Sequence, residues 1–403
     1  MAKNTHLEHL EDSILLDGKQ GAVDAFMFLD ELSRVFSTTS SSSMKITTKW
    51  DGAPAVFCGT YPGTNYFFVG TKSIFNKGAK VNFTPEDVDV NHGNSPGLAA
   101  KLKDCLKYLP ELNIQGVAQG DLLFTDDKVK KKINNQNCII FQPNTITYCI
   151  PEEDELYEKA ASAKLGVVFH TEYVGRELHS MNAKFGYNVN NLTKSSNVLV
   201  LSAETGELGK DTLLTPEEKK YVSGITKQQN LVAGSFLNTL AEHNAGKDQL
   251  ALGTRLKIFF NQYVRQGKKM GNAPNVIKEF KDYYLGVGQK EADKLKTAKG
   301  KTGKLAKVYS GLRQVDSHQK DLEKTINLYK NLQSAKEVFI RKLEKGERFG
   351  TYLRTENGYK ITAPEGYVAI TEGDKAVKLV DRLAFSTANF NAEKNWVAGD
   401  AKK

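Results

Sequence analysis

Four short segments of this sequence carry residue types that together suit covalent nucleotide transfer. They are Lys49-Trp50-Asp51-Gly52, Gly120-Asp121-Leu122, Glu365-Gly366-Tyr367-Val368, and Lys378 inside the apolar run AVKLV. A lysine amine can attack the α-phosphate of a nucleotide and hold it as a phosphoramidate. The amine must be neutral to attack, so a second cation such as Lys378, or a metal, would help depress its pKa. Carboxylates are needed to fix ribose hydroxyls and to hold the Mg²⁺ that neutralises charge developing on phosphate.

Positioning such groups requires several short strands. Lys49 ends the strand-like run MKITTK, and the Asp51-Gly52 turn leads into a second run, PAVFCG. Further strand-like runs fall at 65–71, 116–124, 138–141, 145–150, 166–173 and 198–202, with a short helix near 98–108, so residues 44–205 read as an α+β region dominated by antiparallel strands. Upstream, residues 7–36 read as helix: Ala25, Phe28, Leu29, Leu32 and Phe36 make an apolar stripe that ends at the polar stretch 37–43. Residues 215–345 differ in kind. Their helical periodicity is exemplified by Leu252, Leu256, Phe259, Phe260 and Tyr263, and Thr215-Pro216-Glu217-Glu218 signals a helix start. From Gly350 onward the β texture returns. The division expected is therefore an N-terminal helical segment (1–43), a core begun at 44–210, a helical insertion (211–349), and the last strands of the core with a tail (350–403).

The net charge of +9 is concentrated in one place. Residues 215–350 hold 27 Lys+Arg against 14 Asp+Glu, while the remainder is slightly acidic. The densest stretch runs from Lys294 through Lys296, Lys299, Lys301, Lys304 and Lys307 to Arg313 with no acidic residue between. A basic face of this kind attracts polyphosphate, because neutralising backbone phosphates releases condensed counterions. No apolar run approaches the ~18–20 residues of a membrane span, and the N-terminus lacks the pattern of a signal peptide. A cytoplasmic protein is the expectation. The four cysteines (58, 105, 138, 149) have no C-x-x-C spacing and read as reduced, buried thiols. His92 and His170 have no second histidine at ligand spacing and are assigned to no metal. The loop Asn91–Gly97 is placed as a candidate lid. Gly300-Lys301-Thr302 and Gly286-Val287-Gly288 lack the further glycines of the phosphate loops they suggest.

In their order, the four segments resemble motifs I, III, IV and V of the covalent nucleotidyltransferase superfamily, which contains the ATP-dependent DNA and RNA ligases and the mRNA capping enzymes. The chain as a whole is also similar to an uncharacterised family of T4-like tailed phages, through THLEHLED, KWDGAPAVF, NFTPEDVDVNHG and QGDLLF. The resemblance implies that Lys49 is the adenylated lysine with Asp51 as its companion, and that Asp121 binds ribose. It implies that Glu365 serves a metal and that Lys378 contacts the α-phosphate. Phe169, in GVVFHTEYV, falls where the family stacks an aromatic on the base, and Lys72, in FFVGTKSIF, where members place a basic residue after motif I.

The fold so implied is an antiparallel-sheet nucleotidyltransferase core of the ATP-grasp-like ligase kind, with a large helical insertion and no OB domain. ATP and Mg²⁺ or Mn²⁺ would be the cofactors, Glu365 and Asp121 the metal carboxylates, and RNA or DNA the partner. The chain departs from the pattern at Pro54, where DNA ligases carry Arg, at Asp121, where Glu is usual, and around Lys378, flanked two residues away by Ala376 and Val380. Those departures keep a second expectation open: a catalytically inactive nucleic-acid-binding or virion-associated phage protein that retains the fold.

Overall fold

The strand order along the chain, interrupted by a long helical segment, produces three sheets, two of which combine strands from before and after that segment. The computed structural model describes residues 7–37, 44–133, 135–205, 210–227, 235–245, 250–356, 358–373 and 375–383; most of the polar connection 37–43 lies outside them. A 3-10 turn at Leu10–Asp12 leads into helices α1 (Ser13–Leu16) and α2 (Gly18–Val35). Strands β1 (Lys45–Lys49), β2 (Ala55–Thr60), β3 (Phe67–Gly70) and β4 (Val81–Asn82) follow, then α3 (Pro85–His92) and α4 (Pro96–Tyr108). Next come β5 (Val117–Phe124), β6 (Val129–Ile133), β7 (Gln136–Phe141), β8 (Ile146–Pro151), α5 (Tyr157–Ser162), β9 (Leu165–Val174), β10 (Asn182–Phe185) and β11 (Val198–Ser202). The helical segment comprises α6 (Pro216–Thr226), α7 (Ser235–Ala245), α8 (Leu252–Arg265), α9 (Ala273–Asp293), α10 (Ala298–Ser317) and α11 (Gln319–Glu344). Strands β12 (Gly350–Thr355), β13 (Gly358–Ile361), β14 (Gly366–Ile370) and β15 (Ala376–Leu379) close the chain.

The largest sheet runs β10-β9-β5-β2-β3-β4, with β11 added to β9 in parallel. A second sheet, β13-β12-β8-β7-β6, and a third, β1-β14-β15, are both antiparallel. The helices therefore enter between β11 and β12, and the strands after them rejoin partners laid down before them. The architecture is α+β with antiparallel sheets and a helical segment.

The N-terminal helices are not a separate body. Phe26, Leu29 and Leu32 of α2 share one buried apolar core with Leu256 and Phe260 of α8, Phe280 of α9, and Leu332 and Phe339 of α11. Ile46, Tyr367, Ala369 and Leu379 extend the same core onto one face of the three-stranded sheet. The apolar stripe of α2 is what joins the two regions, since an exposed stripe of that size would be costly.

Within this core lies a charge cluster. Glu11 and Asp12 are fully buried, and Lys336 is 1% exposed. The Lys336 amine donates to both Glu11 carboxylate oxygens at 2.9 Å. Arg382 donates to both oxygens of Asp12 at 2.8 and 3.1 Å and to Asn261 of α8 at 2.7 Å. The N-terminal stretch is thus fastened to α8, α11 and the residues beyond β15. Charges this deep are tolerable only when paired.

The cysteine expectation needs correction. Cys58 and Cys105 are free and buried, and burial pushes the Cys105 thiol up to about 12. Cys138 and Cys149, by contrast, form a disulfide, with Cα atoms 5.7 Å apart. The β7–β8 hairpin sets Cys138 opposite Pro151 and Cys149 opposite Ile140, which makes the two residues diagonal neighbours. A spacing set by a hairpin register matches no metal or redox motif. Among the described residues, no helix is long and apolar enough to cross a membrane.

Lys336→Met should leave Glu11 buried without its amine. The expected cost is about 3–5 kcal/mol, measurable as a fall in the urea midpoint, with Glu11→Leu/Lys336→Met together costing less than Lys336→Met alone.

Candidate functional site

Alternation along β1 divides its side chains between two environments. Ile46 packs into the helical core, while Thr47 and Lys49 face the other way. On β14, Tyr367 and Ala369 point inward, and Val368 and Ile370 line the side occupied by Lys49. On β15 the same rule turns Leu379 inward and Lys378 outward, with Lys378 directly opposite Val368. These outward residues form one wall of a cavity of about 240 Å³. The facing wall belongs to the largest sheet and is made by Gln119 and Asp121 of β5, His170, Thr171 and Tyr173 of β9, and Phe185 of β10.

Two glycines permit the close approaches that this geometry needs. A Cβ on Gly52 would collide with the Asp121 side chain, so the turn after Lys49 can lie against β5 only without one. Gly366 pairs with Lys49 across β1 and β14 at a φ of 146°, and a Cβ there would meet the Leu379 carbonyl. Glu365, immediately before Gly366, is thereby brought into an ion pair with Lys49.

Electrostatics treats the two lysines oppositely. Burial alone would lower the Lys49 amine, but the paired Glu365 carboxylate, aided by Asp121 and Asp51, outweighs it and raises the amine above its ordinary value. Lys378 is lowered, first by burial and then by the Lys49 charge, and makes no ion pair among the described residues. Burial raises the Glu365 carboxyl, opposed by its contact with Lys49. The expectation that a second cation depresses the Lys49 pKa is therefore reversed in this state, because the carboxylate lies closer.

Asp51 does not line the cavity. It is 4% exposed, and its carboxylate accepts from the Asn144 amide at 2.7 Å and from the backbone N–H groups of Thr145 and Ile146 at 2.7 and 2.8 Å. Its own N–H donates to the Tyr148 hydroxyl at 2.7 Å. What Asp51 does here is fasten the turn after Lys49 to the loop entering β8.

Phe169 is corrected outright. It is fully buried, away from the cavity, among Leu102, Cys105 and Val167, with its ring 5.3 Å from that of Tyr187. The cause is a bulge: Gln119 pairs with Thr171 and Gly120 with Phe169, so His170 is the extra residue and both His170 and Thr171 face the cavity. Lys72 is exposed at the start of a 3-10 turn and is not a cavity residue. Neither is His92 nor the loop Asn91–Gly97.

The basic stretch forms the end of one helix pair. Lys294 and Lys296 lie in the connection from α9 to α10, both exposed, with Lys294 paired to Glu291 at 2.7 Å. Lys299, Lys301, Lys307 and Arg313 are exposed along α10, and Lys304 is half-buried. Val308, Gly311 and Val315 form the buried side of the same helix.

For a divalent cation, Glu365 and Asp121 are the available carboxylates. Among the described residues, no group of three or more His, Cys, Asp or Glu side chains could hold a metal. The donor chemistry fits Mg²⁺, which commonly takes one or two carboxylates and completes its shell with water and substrate phosphate.

Residues 4–394 match the model of a family of unknown function, DUF6267, and the chain belongs to that family. Neither the curated proteins nor the solved structures contain a match to it.

Asp51→Ala should strip acceptors from the Asn144 amide and from the N–H groups of Thr145 and Ile146. A loss of about 1–3 kcal/mol is expected for the buried Ile146 N–H left unpaired, with smaller additions from the part-buried Asn144 and Thr145 donors, read by chemical denaturation.

Proposed function

We propose that this protein is an ATP-dependent nucleotidyltransferase of the ligase type, joining RNA or DNA ends through an AMP carried on Lys49. The observation that supports it best is convergence. Lys49, Asp121 and Lys378, from three distant stretches, line one cavity between two sheets, and Glu365 pairs with Lys49 beside it. A half-buried amine without an ion-pair partner, such as Lys378, is suited to an anionic ligand.

In the first step the Lys49 nitrogen would form a bond to the α-phosphorus of ATP as the bond to pyrophosphate breaks, and the amine would lose its proton. The pair with Glu365 must part for this to occur, because it holds Lys49 in the charged form. Glu365 and Asp121 would hold a divalent cation, which when bound would supply neutralisation of charge on the phosphoryl oxygens. Lys378 would contact the α-phosphate. In the second step AMP would pass to a 5′-phosphate, and in the third a 3′-hydroxyl would displace AMP and seal the strand. The exposed cations of the α9–α10 end would hold the polynucleotide.

A second reading keeps the fold and binding without the chemistry, as a nucleic-acid-binding or virion-associated protein. The charged state of Lys49, the commitment of Asp51 to the turn, and Pro54 favour it.

Incubation with α-labelled ATP and Mg²⁺ should give a protein adduct that survives heat and denaturant and is absent from Lys49→Ala. Because the amine is raised, its neutral fraction, and with it the initial rate, should climb by about tenfold per pH unit from pH 7 to 9. No adduct with ATP, GTP or NAD under Mg²⁺ or Mn²⁺ would leave the binding reading alone standing. Replacing Lys299, Lys301 and Arg313 with Ala should reduce the slope of log affinity against log salt by about 2–3, measured by gel shift.

A further inference from the structure

A second cavity, of about 360 Å³, lies against the same strand as the first. Thr48 and Trp50, which flank Lys49 in the chain, line both. Its other walls come from β11, the end of α11 and the residues entering β12. Leu201, Leu343 and Phe349 supply apolar lining, and Glu347 brings a carboxylate. The hydroxyls around it have their protons committed elsewhere. Thr48 donates to Glu347 Oε1 at 3.3 Å, and Thr205 donates to the Ile46 carbonyl at 3.0 Å. Both oxygens are therefore left with lone pairs alone. The Trp50 indole N–H is sealed within the packing and offers the cavity no donor. Arg348, the cation of the lining, is held by Asp154 at 2.8 Å and Glu155 at 2.9 Å. Glu347 itself is partly buried and forms no ion pair among the described residues. Burial raises its carboxyl above the ordinary value, opposed only by the hydroxyls of Tyr367 and Thr48. A carboxylate so placed lacks a counter-charge.

The polar groups of this cavity thus accept hydrogen bonds and carry negative charge, while its remaining walls are apolar. We infer that it binds a primary alkylammonium ion, whose head pairs with Glu347 and whose chain lies along Leu201, Leu343 and Phe349. An ammonium head has three N–H donors and no acceptor. Glu347 and the hydroxyls of Thr48 and Thr205 supply matching acceptors. Phosphates and carboxylates are turned away by the charge of Glu347, and a neutral alcohol of the same length leaves that charge unpaired. The site uses neither Lys49 nor a nucleotide, so it stands apart from the transfer chemistry.

The test is titration of the full-length chain with n-butylammonium chloride and with n-butanol at constant ionic strength, without nucleotide, followed by calorimetry and tryptophan fluorescence. Trp396→Phe in the parent leaves Trp50 as the one tryptophan, so its emission reports on this cavity. The amine should bind saturably and shift that emission, and the alcohol should bind about tenfold more weakly, the value of one hydrogen bond to a charged group. Glu347→Gln, which keeps an acceptor for Thr48, should bring amine and alcohol to the same affinity, with a thermal midpoint near that of the parent as the check on folding. Amine that fails to saturate, equal affinity for amine and alcohol in the parent, or a preference for amine that survives in Glu347→Gln each overturns the site. Should Glu347→Gln not fold, the parent's ratio of amine to alcohol affinity and the Trp50 response decide between the same outcomes. Amine binding in a chain that forms no Lys49 adduct supports this site and sinks only the transfer chemistry.

Discussion

The register of β1 against β14 is the constraint on which the site depends. Lys49 stands opposite Gly366, and Lys45 opposite Ile370, across more than three hundred residues of intervening chain. Because side chains alternate, a slip of one residue would send Lys49 into the helical core and Ile46 into the cavity. The apolar contacts of Ile46, Tyr367 and Ala369 with the helices forbid that slip. The same burial that anchors the helical segment therefore fixes the direction of the two lysines. The helices serve the cavity without lining it.

That arrangement creates an electrostatic tension rather than a ready nucleophile. Lys49 and Lys378 share a wall, and burial first, then their mutual repulsion, lowers Lys378. Glu365 resolves the repulsion for Lys49 alone, and in doing so holds it protonated. A carboxylate at this position is thus both the group that lets a buried amine exist and the group that restrains it. Asp121, set back on the opposite sheet, contributes charge without direct contact, which leaves its oxygens open.

Much of this was legible in the sequence where local pattern and packing agree. The strand-like texture of 44–60, the helical period of 252–263 and the Thr215 capping signal all reappear as elements, the last with a full capping box. Lys378 between Val377 and Leu379 reads as an alternating strand and is one. What escaped notice depends on relations that are not local. A bulge shifts the facing of β9 by one residue, so Phe169 and His170 exchange the positions that a regular strand would give them. Asp51 looks the same in sequence whether its carboxylate meets a ligand or the N–H groups of Thr145 and Ile146, nearly a hundred residues away. Glu11 and Asp12 read as the polar start of a helix, and only their distant partners Lys336 and Arg382 make them interior groups.

Those interior charges bear on how a surface on the helices could be related to the cavity. The Lys378 backbone N–H donates to the Glu8 carbonyl at 2.9 Å, and the Glu8 side chain pairs with Lys257 of α8. The next residue, His9, bridges to the same strand, and beyond it Glu11 and Asp12 are tied to α11 and Arg382. The segment 8–12 is therefore a stiff splint between the strand bearing Lys378 and the helices. Buried ion pairs suit this purpose better than apolar contacts of equal area, because an alternative packing would leave a charge unpaired at a cost of several kcal/mol, of order 3–5. The exposed cations of α10 belong to a helix whose Val308 and Val315 lie in the core that also holds Tyr367 and Leu379. A polymer bound along that helix would be held in fixed register with the cavity, as a chain threaded to one rigid frame, and not at the end of a flexible tether.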